Sequence, residues 1–183
     1  MLELTQLEPT DRELMLATRS GDKAAFERLV LRHQDIAWKT AYRFTGDAAE
    51  AEDLAQEAFL KILDAAERYK PTASFKTYLL SVLTRLCIDH ARKKRPDLSE
   101  NMPDRPAADS NPREQSSRQE RDDAIQDALT YLTPKQRVAV ILKYFEDMSG
   151  RQTARSMGVS TKAVERLLSR ARKTLEDRLR PLL

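Results

Sequence analysis

Along most of this chain apolar residues recur at spacings of three and four, the period of a helix buried on one side. Asp11–Ser20 opens the pattern. Asp22 then caps a helix carrying Phe26, Leu29, Val30, Ile36 and Ala37 toward Phe44, and Gly46 ends it. Asp47 and Glu50 have the spacing of a capping box, which starts a third helix over roughly Ala48 to Glu67. Pro71 breaks the pattern within Tyr69–Ser74, because proline cannot continue a helix. A fourth helix runs from about Phe75 to Lys94, with Phe75, Tyr78, Leu79, Val82, Leu83 and Leu86 on its apolar face.

Between Pro96 and about Arg118 the periodicity stops. Four of the eight prolines (Pro96, Pro103, Pro106 and Pro112) fall there among acidic and small polar residues. The composition predicts a flexible, extended linker. Helices resume near Arg121. Thr133-Pro134-Lys135-Gln136 combines a cap, a proline at the first helical position and a glutamine closing the box. Val138, Ile141, Leu142 and Phe145 form the core face of that helix. The pattern gives an all-α chain of two small helical domains, 1–95 and 121–183, joined by a flexible acidic, proline-rich linker, 96–120.

The last stretch carries chemistry as well as pattern. Ser149 and Gln152 form a further capping box, Ala154 is small enough for a close helix crossing, Gly158 suits a left-handed helix end, and Ser160 can cap the next helix. Val164, Leu167, Leu168, Ala171 and Leu175 then make a continuous apolar stripe. The other face of that helix holds Lys162, Glu165, Arg166, Ser169, Arg170 and Lys173. A second helix buried on one side and basic on the other is the geometry of a helix-turn-helix, here spanning 150–169, that enters a DNA major groove. An ordinary amphipathic hairpin with a solvated charged face would share the pattern.

Charge sharpens the picture. The net charge is +3, but from Asp123 onward 12 Lys/Arg stand against 7 Asp/Glu, whereas Asp97–Asp122 has 4 against 7. A basic C-terminal segment suits a polyanion. The single cysteine, Cys87, lies among Leu83, Leu86 and Ile88 and reads as a buried, inert thiol. His33 and His90 sit far apart on helices, and neither a phosphate-cradling glycine loop nor metal-ligand spacing is evident. We therefore expect no enzyme, no catalytic residue, no metal and no cofactor. The chain has no run approaching ~20 apolar residues and no signal-like N-terminus, so a cytoplasmic protein without membrane insertion is expected.

One further face is unusual. In AEDLAQEAFLKI, Leu54, Ala55, Ala58, Phe59 and Ile62 face inward, while Asp53, Gln56, Glu57 and Leu60 share a second, acidic face with one exposed leucine. With SGDKAAFERLVLRH before it, then Tyr69–Arg95, a linker, LTPKQRVAVILKYFEDMS and the helix-turn-helix, the order of segments resembles the extracytoplasmic-function (ECF) sigma factors of bacterial RNA polymerase, of the sigma-70 family.

The resemblance implies that the chain directs core polymerase to promoters. Asp53, Gln56, Glu57 and Leu60 would dock on core polymerase. Tyr69, Lys70, Lys76, Thr84, Arg85 and Arg92 would engage the melted minus-ten element, from the Tyr69–Ser74 loop and an exposed helix face that also holds Thr77, Ser81 and Asp89. Tyr69 either stacks on a base or anchors the core. The run Arg92–Arg95 would touch phosphate. Arg151, Thr161, Lys162, Glu165, Arg166, Ser169, Arg170 and Lys173 would read the minus-35 element as duplex. An anti-sigma partner is expected, and no homo-oligomer is required.

Three positions depart from the family's habit: Glu165 where a basic residue is common, Arg85 where asparagine is common, and a missing aromatic after Ser149. The linker fits this reading, since about 25 residues reach ~80–90 Å when extended and the two elements lie on the order of 70 Å apart on duplex. A stand-alone helix-turn-helix regulator is the alternative; it leaves the Asp53–Leu60 face without a task.

Overall fold

In the computed structural model, which describes residues 8–94 and 117–179, every element among the described residues is helical. Eight α-helices follow in order: α1 (Asp11–Arg19), α2 (Lys23–Thr45), α3 (Ala48–Asp64), α4 (Phe75–Lys94), α5 (Ser117–Thr130), α6 (Pro134–Val140), α7 (Gly150–Met157) and α8 (Thr161–Leu179). A 3-10 turn, Ala66–Arg68, follows α3, and a π turn, Ile141–Phe145, extends α6. Helices α1–α4 make one unit and α5–α8 the second.

Local chemistry explains most boundaries. Thr10 and Glu13 close a reciprocal box ahead of α1, and the hydrogen bond from the Thr10 backbone, then that from its hydroxyl, lowers the Glu13 carboxyl below its usual range. Asp22 accepts from the Ala25 amide at 3.1 Å. Thr133 with Gln136 and Ser149 with Gln152 form complete boxes, and Ser160 accepts from the Ala163 amide at 3.2 Å. Gly46 (φ 76°) and Gly158 (φ 66°) take the left-handed backbone that ends α2 and α7.

Four sequence expectations need correction. Asp47 accepts from the Glu50 amide, but Glu50 does not close the box; its carboxylate turns to Lys94 at 2.6 Å and His90 at 3.1 Å, tying α3 to α4. Helix α3 stops at Asp64 rather than Glu67, tightening into the 3-10 turn. The Thr133 helix continues through 145 only as a π turn, with the Glu146 amide reaching the Ile141 carbonyl at 3.1 Å. Helix α5 begins at Ser117, so 117–120 of the expected linker are helical, while residues 95–116 lie outside the described residues.

The two units pack directly on each other. Leu79, Leu80, Leu83 and Cys87 of α4 belong to the same buried cluster as Leu132, Val138, Ile141 and Leu142 of the second unit. Polar contacts reinforce the seam: the Gln126 amide nitrogen donates to the Tyr42 carbonyl at 3.1 Å, and Arg137 is buried against the C-terminal end of α2. Gly46 lies beneath this crossing, where a Cβ would meet the Gln126 side chain at 3.2 Å.

Candidate functional site

Helix α3 presents its two stripes as its sequence requires. Leu54, Ala55, Ala58, Phe59 and Ile62 are buried, and Asp53, Gln56, Glu57 and Leu60 are exposed. Leu60 is 60% exposed, an apolar side chain held open to solvent. Around it, Gln56 donates to Glu52 at 3.1 Å and Lys61 lies 3.3 Å from Glu57. These exposed pairs contribute little stability. They leave a leucine with an acidic rim, a shape suited to a partner's apolar pocket edged by cations.

The second helix of the helix-turn-helix is equally open. Val164 and Ala171 are buried, Leu167, Leu168 and Leu175 half-buried. Arg151, Thr161, Lys162, Glu165, Arg166, Ser169, Arg170 and Lys173 are all exposed. The Arg166 Nε donates only to the Lys162 carbonyl of its own helix, at 3.4 Å. Four Lys/Arg side chains along α8 thus stand ready for phosphates or guanine edges, with Glu165 among them as an acceptor.

Helix α4 departs from expectation. Part of the face predicted to be exposed is covered, with the second unit meeting it at Lys76, Ser81 and Thr84. Thr77 and Thr84 are buried, and the Ser81 hydroxyl donates to Ser156 of α7 at 3.0 Å. Lys76 Nζ lies 3.2 Å from the Glu146 carboxylate. The Arg155 guanidinium donates to the Thr72 carbonyl at 3.3 Å, so α7 also covers the loop before α4. Only Lys70, Arg85 and Arg92 of the named minus-ten residues are fully exposed.

Tyr69 is buried, with its ring 5.5 Å from that of Tyr78. Desolvation raises both phenols above their ordinary range, followed for Tyr69 by its neighbour Tyr78. Of the two roles left open for Tyr69, the core anchor is the one occupied in this arrangement. The two histidines serve helix packing: His33 pairs with Asp11 at 2.7 Å and His90 with Glu50 at 3.1 Å.

Several residues of the site escaped the sequence. Thr40 and Arg43 of α2, which meet Glu146 at 3.0 and 3.9 Å, carry no motif, and the segments that hold Glu146 and Ser156 gave no sign that these two side chains meet α2 and α4. Arg137 gave a faint signal: it lies four residues before Ile141, so a cation occupies the core stripe of α6.

Two family models match the chain, Sigma-70 region 2 over residues 29–96 and Sigma-70 region 4 over residues 122–175. The sequence is 35% identical to the ECF RNA polymerase sigma factor SigE of Mycolicibacterium smegmatis, over 94% of this chain and 68% of that protein. It is 32% identical to the RNA polymerase sigma-E factor of Streptomyces coelicolor, over 87% of this chain and 88% of the other. Among solved structures, the fold is similar to CnrH in complex with the cytosolic domain of CnrY, with a TM-score of 0.71, 23% identity, and coverage of 93% of this chain and 97% of that one. It is also similar to the sigma factor RpoE of Bartonella quintana in complex with the anti-sigma factor NepR, with a TM-score of 0.67, 21% identity, and coverage of 85% and 96%.

Proposed function

Given that the chain belongs to the sigma-70 family, as an ECF RNA polymerase sigma factor, we propose how its surfaces divide the work of directing polymerase to a promoter. Residues 1–95 dock on core polymerase and engage the minus-ten element; residues 121–183 read the minus-35 element; 96–120 tether them. Asp53, Gln56, Glu57 and Leu60 form the docking face. One observation carries this reading: the open leucine of α3 and the open basic face of α8 lie on different units, so one chain can hold polymerase and duplex at once.

On the α8 face, Lys162, Arg166, Arg170 and Lys173 supply phosphate and guanine contacts. Glu165 accepts from a cytosine amino group, and Arg151, Thr161 and Ser169 fix the register. On α4 and its preceding loop, Lys70, Lys76, Thr84, Arg85 and Arg92 take the minus-ten strand once the second unit has moved away. Tyr69 supports that loop from the core. Chemistry on nucleotides belongs to the polymerase, beside which this chain works in the cytoplasm. No described helix is long and apolar enough to cross a membrane. An anti-sigma factor is the expected regulator, as with the NepR complex above.

The test of docking is co-elution. Core polymerase mixed with a stoichiometric amount of the chain should retain it on gel filtration at moderate salt. A chain that elutes alone would refute the assignment of the α3 face.

A further inference from the structure

Glu146 lies at the seam between the units with its side chain only 4% exposed. One carboxylate oxygen accepts from the Thr40 hydroxyl at 3.0 Å and lies 3.9 Å from an Arg43 guanidinium nitrogen; the other lies 3.2 Å from Lys76 Nζ. Lys76 also donates to the Glu146 carbonyl at 3.2 Å. The Arg43 guanidinium rests 4.6 Å from the centre of the Phe145 ring. A hydroxyl, a guanidinium and an ammonium, all from α2 and α4, therefore converge on one anion contributed by the second unit. This donor set would serve a phosphate as well as a carboxylate.

We propose that Thr40, Arg43 and Lys76 form an anion site for a phosphate of the melted promoter strand, and that Glu146 is the built-in competitor that fills it while the chain is closed. The proposal rests on the reading of α4 as the minus-ten face. It adds Thr40 and Arg43 to that face and gives closure a chemical lock.

The surroundings support an exchange of anions. The docking of the second unit that brings Glu146 to the site also joins Ser81 to Ser156 and lays Val138, Ile141 and Leu142 beside Thr84. The basic face of α8 is untouched by closure. A closed chain thus withholds Thr84 and engages Lys76, while Lys70, Arg85, Arg92 and the duplex face of α8 stay open. Opening into water leaves Arg43 and Lys76, whose side chains are 29% and 40% exposed, without the anion that holds them together. A phosphate arriving as Glu146 departs restores the compensation, so opening onto DNA costs less than opening into water. The apolar seam of Cys87, Val138, Ile141 and Leu142 favours closure when no DNA is present.

The test uses the full chain and a labelled short single-stranded deoxyoligonucleotide of mixed sequence. E146Q removes the competing charge and should bind the probe about tenfold more tightly, as expected when a minor open state becomes dominant. The Cys87 thiol at the seam should then react faster with a thiol reagent. Adding R43Q or K76Q to E146Q should erase the gain and lower the salt slope by about 0.7 for each phosphate no longer neutralised. S81C/S156C gives an independent lever, because the native hydroxyl oxygens are 3.0 Å apart and a disulfide there holds the chain closed. The oxidised form should bind the probe weakly and regain binding on reduction, which decides the matter even if E146Q folds poorly. Binding that is present but indifferent to both Glu146 and the crosslink overturns the competition alone. Absence of binding in every form overturns the α4 reading and the proposal with it.

Discussion

Arg137 of α6 donates through Nη1 to the carbonyl of Phe44 at 2.6 Å, while its guanidinium carbon lies 5.5 Å from the centre of the Phe44 ring. The two residues are 93 positions apart, on different units. The same guanidinium donates through Nε to the Leu129 carbonyl at 2.8 Å and through Nη2 to those of Thr130 and Leu132 at 3.3 and 3.4 Å. One side chain thus serves carbonyls at the end of α5 and that of Phe44 near the end of α2, two places where a helix has unpaired acceptors.

Replacing Arg137 with methionine keeps the stem and removes the donors. The carbonyls of Phe44, Thr130 and Leu132 then lose this donor, while that of Leu129 keeps the Leu132 amide; each charged hydrogen bond is worth about 1.5–3 kcal/mol. We expect R137M to lower the unfolding free energy by about 3–5 kcal/mol, read from urea denaturation by circular dichroism. A loss below about 1 kcal/mol would place Arg137 outside the structural role.

Cys87 provides a pH-linked prediction. Full burial pushes its thiol from 9.0 up to about 12. The folded value lies above the unfolded one, so this contribution is complete below pH ~9 and is lost as pH rises toward 12. Stability should therefore fall across that alkaline window more steeply in the native chain than in C87A. At neutral pH the thiol should react with a disulfide reagent orders of magnitude more slowly than in denaturant. Fast labelling of the folded chain would mean the seam is open in solution.

The docking face calls for a double variant. Q56A/L60A removes the exposed leucine and its polar neighbour without touching the buried stripe of α3. Affinity for core polymerase should fall at least tenfold, the scale of one hot-spot residue, with no change in thermal unfolding. Unchanged affinity would move the docking surface elsewhere.

Arg166 probes the recognition helix. R166A should weaken binding of an upstream duplex by about 1–3 kcal/mol and leave association with core polymerase intact. E165Q should alter base preference at one position more than total affinity, measured by selection from a randomised duplex pool. Loss of core binding in R166A would show that the surfaces are exchanged.

What the sequence made legible was local. The boxes at Thr133/Gln136 and Ser149/Gln152, the cap at Asp22 and the glycines at 46 and 158 involve residues within four positions of one another, and their geometry follows from residue type. The double stripe of α3 was readable for the same reason. The seam was not. Thr84 looks like polar surface on a helical wheel, yet it is buried beside Val138, Ile141 and Leu142 of the second unit, reached through a segment of unpatterned composition. Glu50 had the spacing of a capping box, yet Lys94 and His90, forty or more residues away, compete for its carboxylate more effectively. The family resemblance supplied functions for the faces, but it did not place Glu146 among Thr40, Arg43 and Lys76.

The central claim is that this chain selects promoters for core polymerase through the α3 and α8 faces. Run-off transcription with purified core polymerase and a promoter library tests it most directly, with an active sigma factor as control. Adding the chain should yield transcripts from a defined subset of promoters sharing paired upstream and downstream elements, and Q56A/L60A should abolish them. Absence of any promoter-specific transcript while the control remains active would contradict the account.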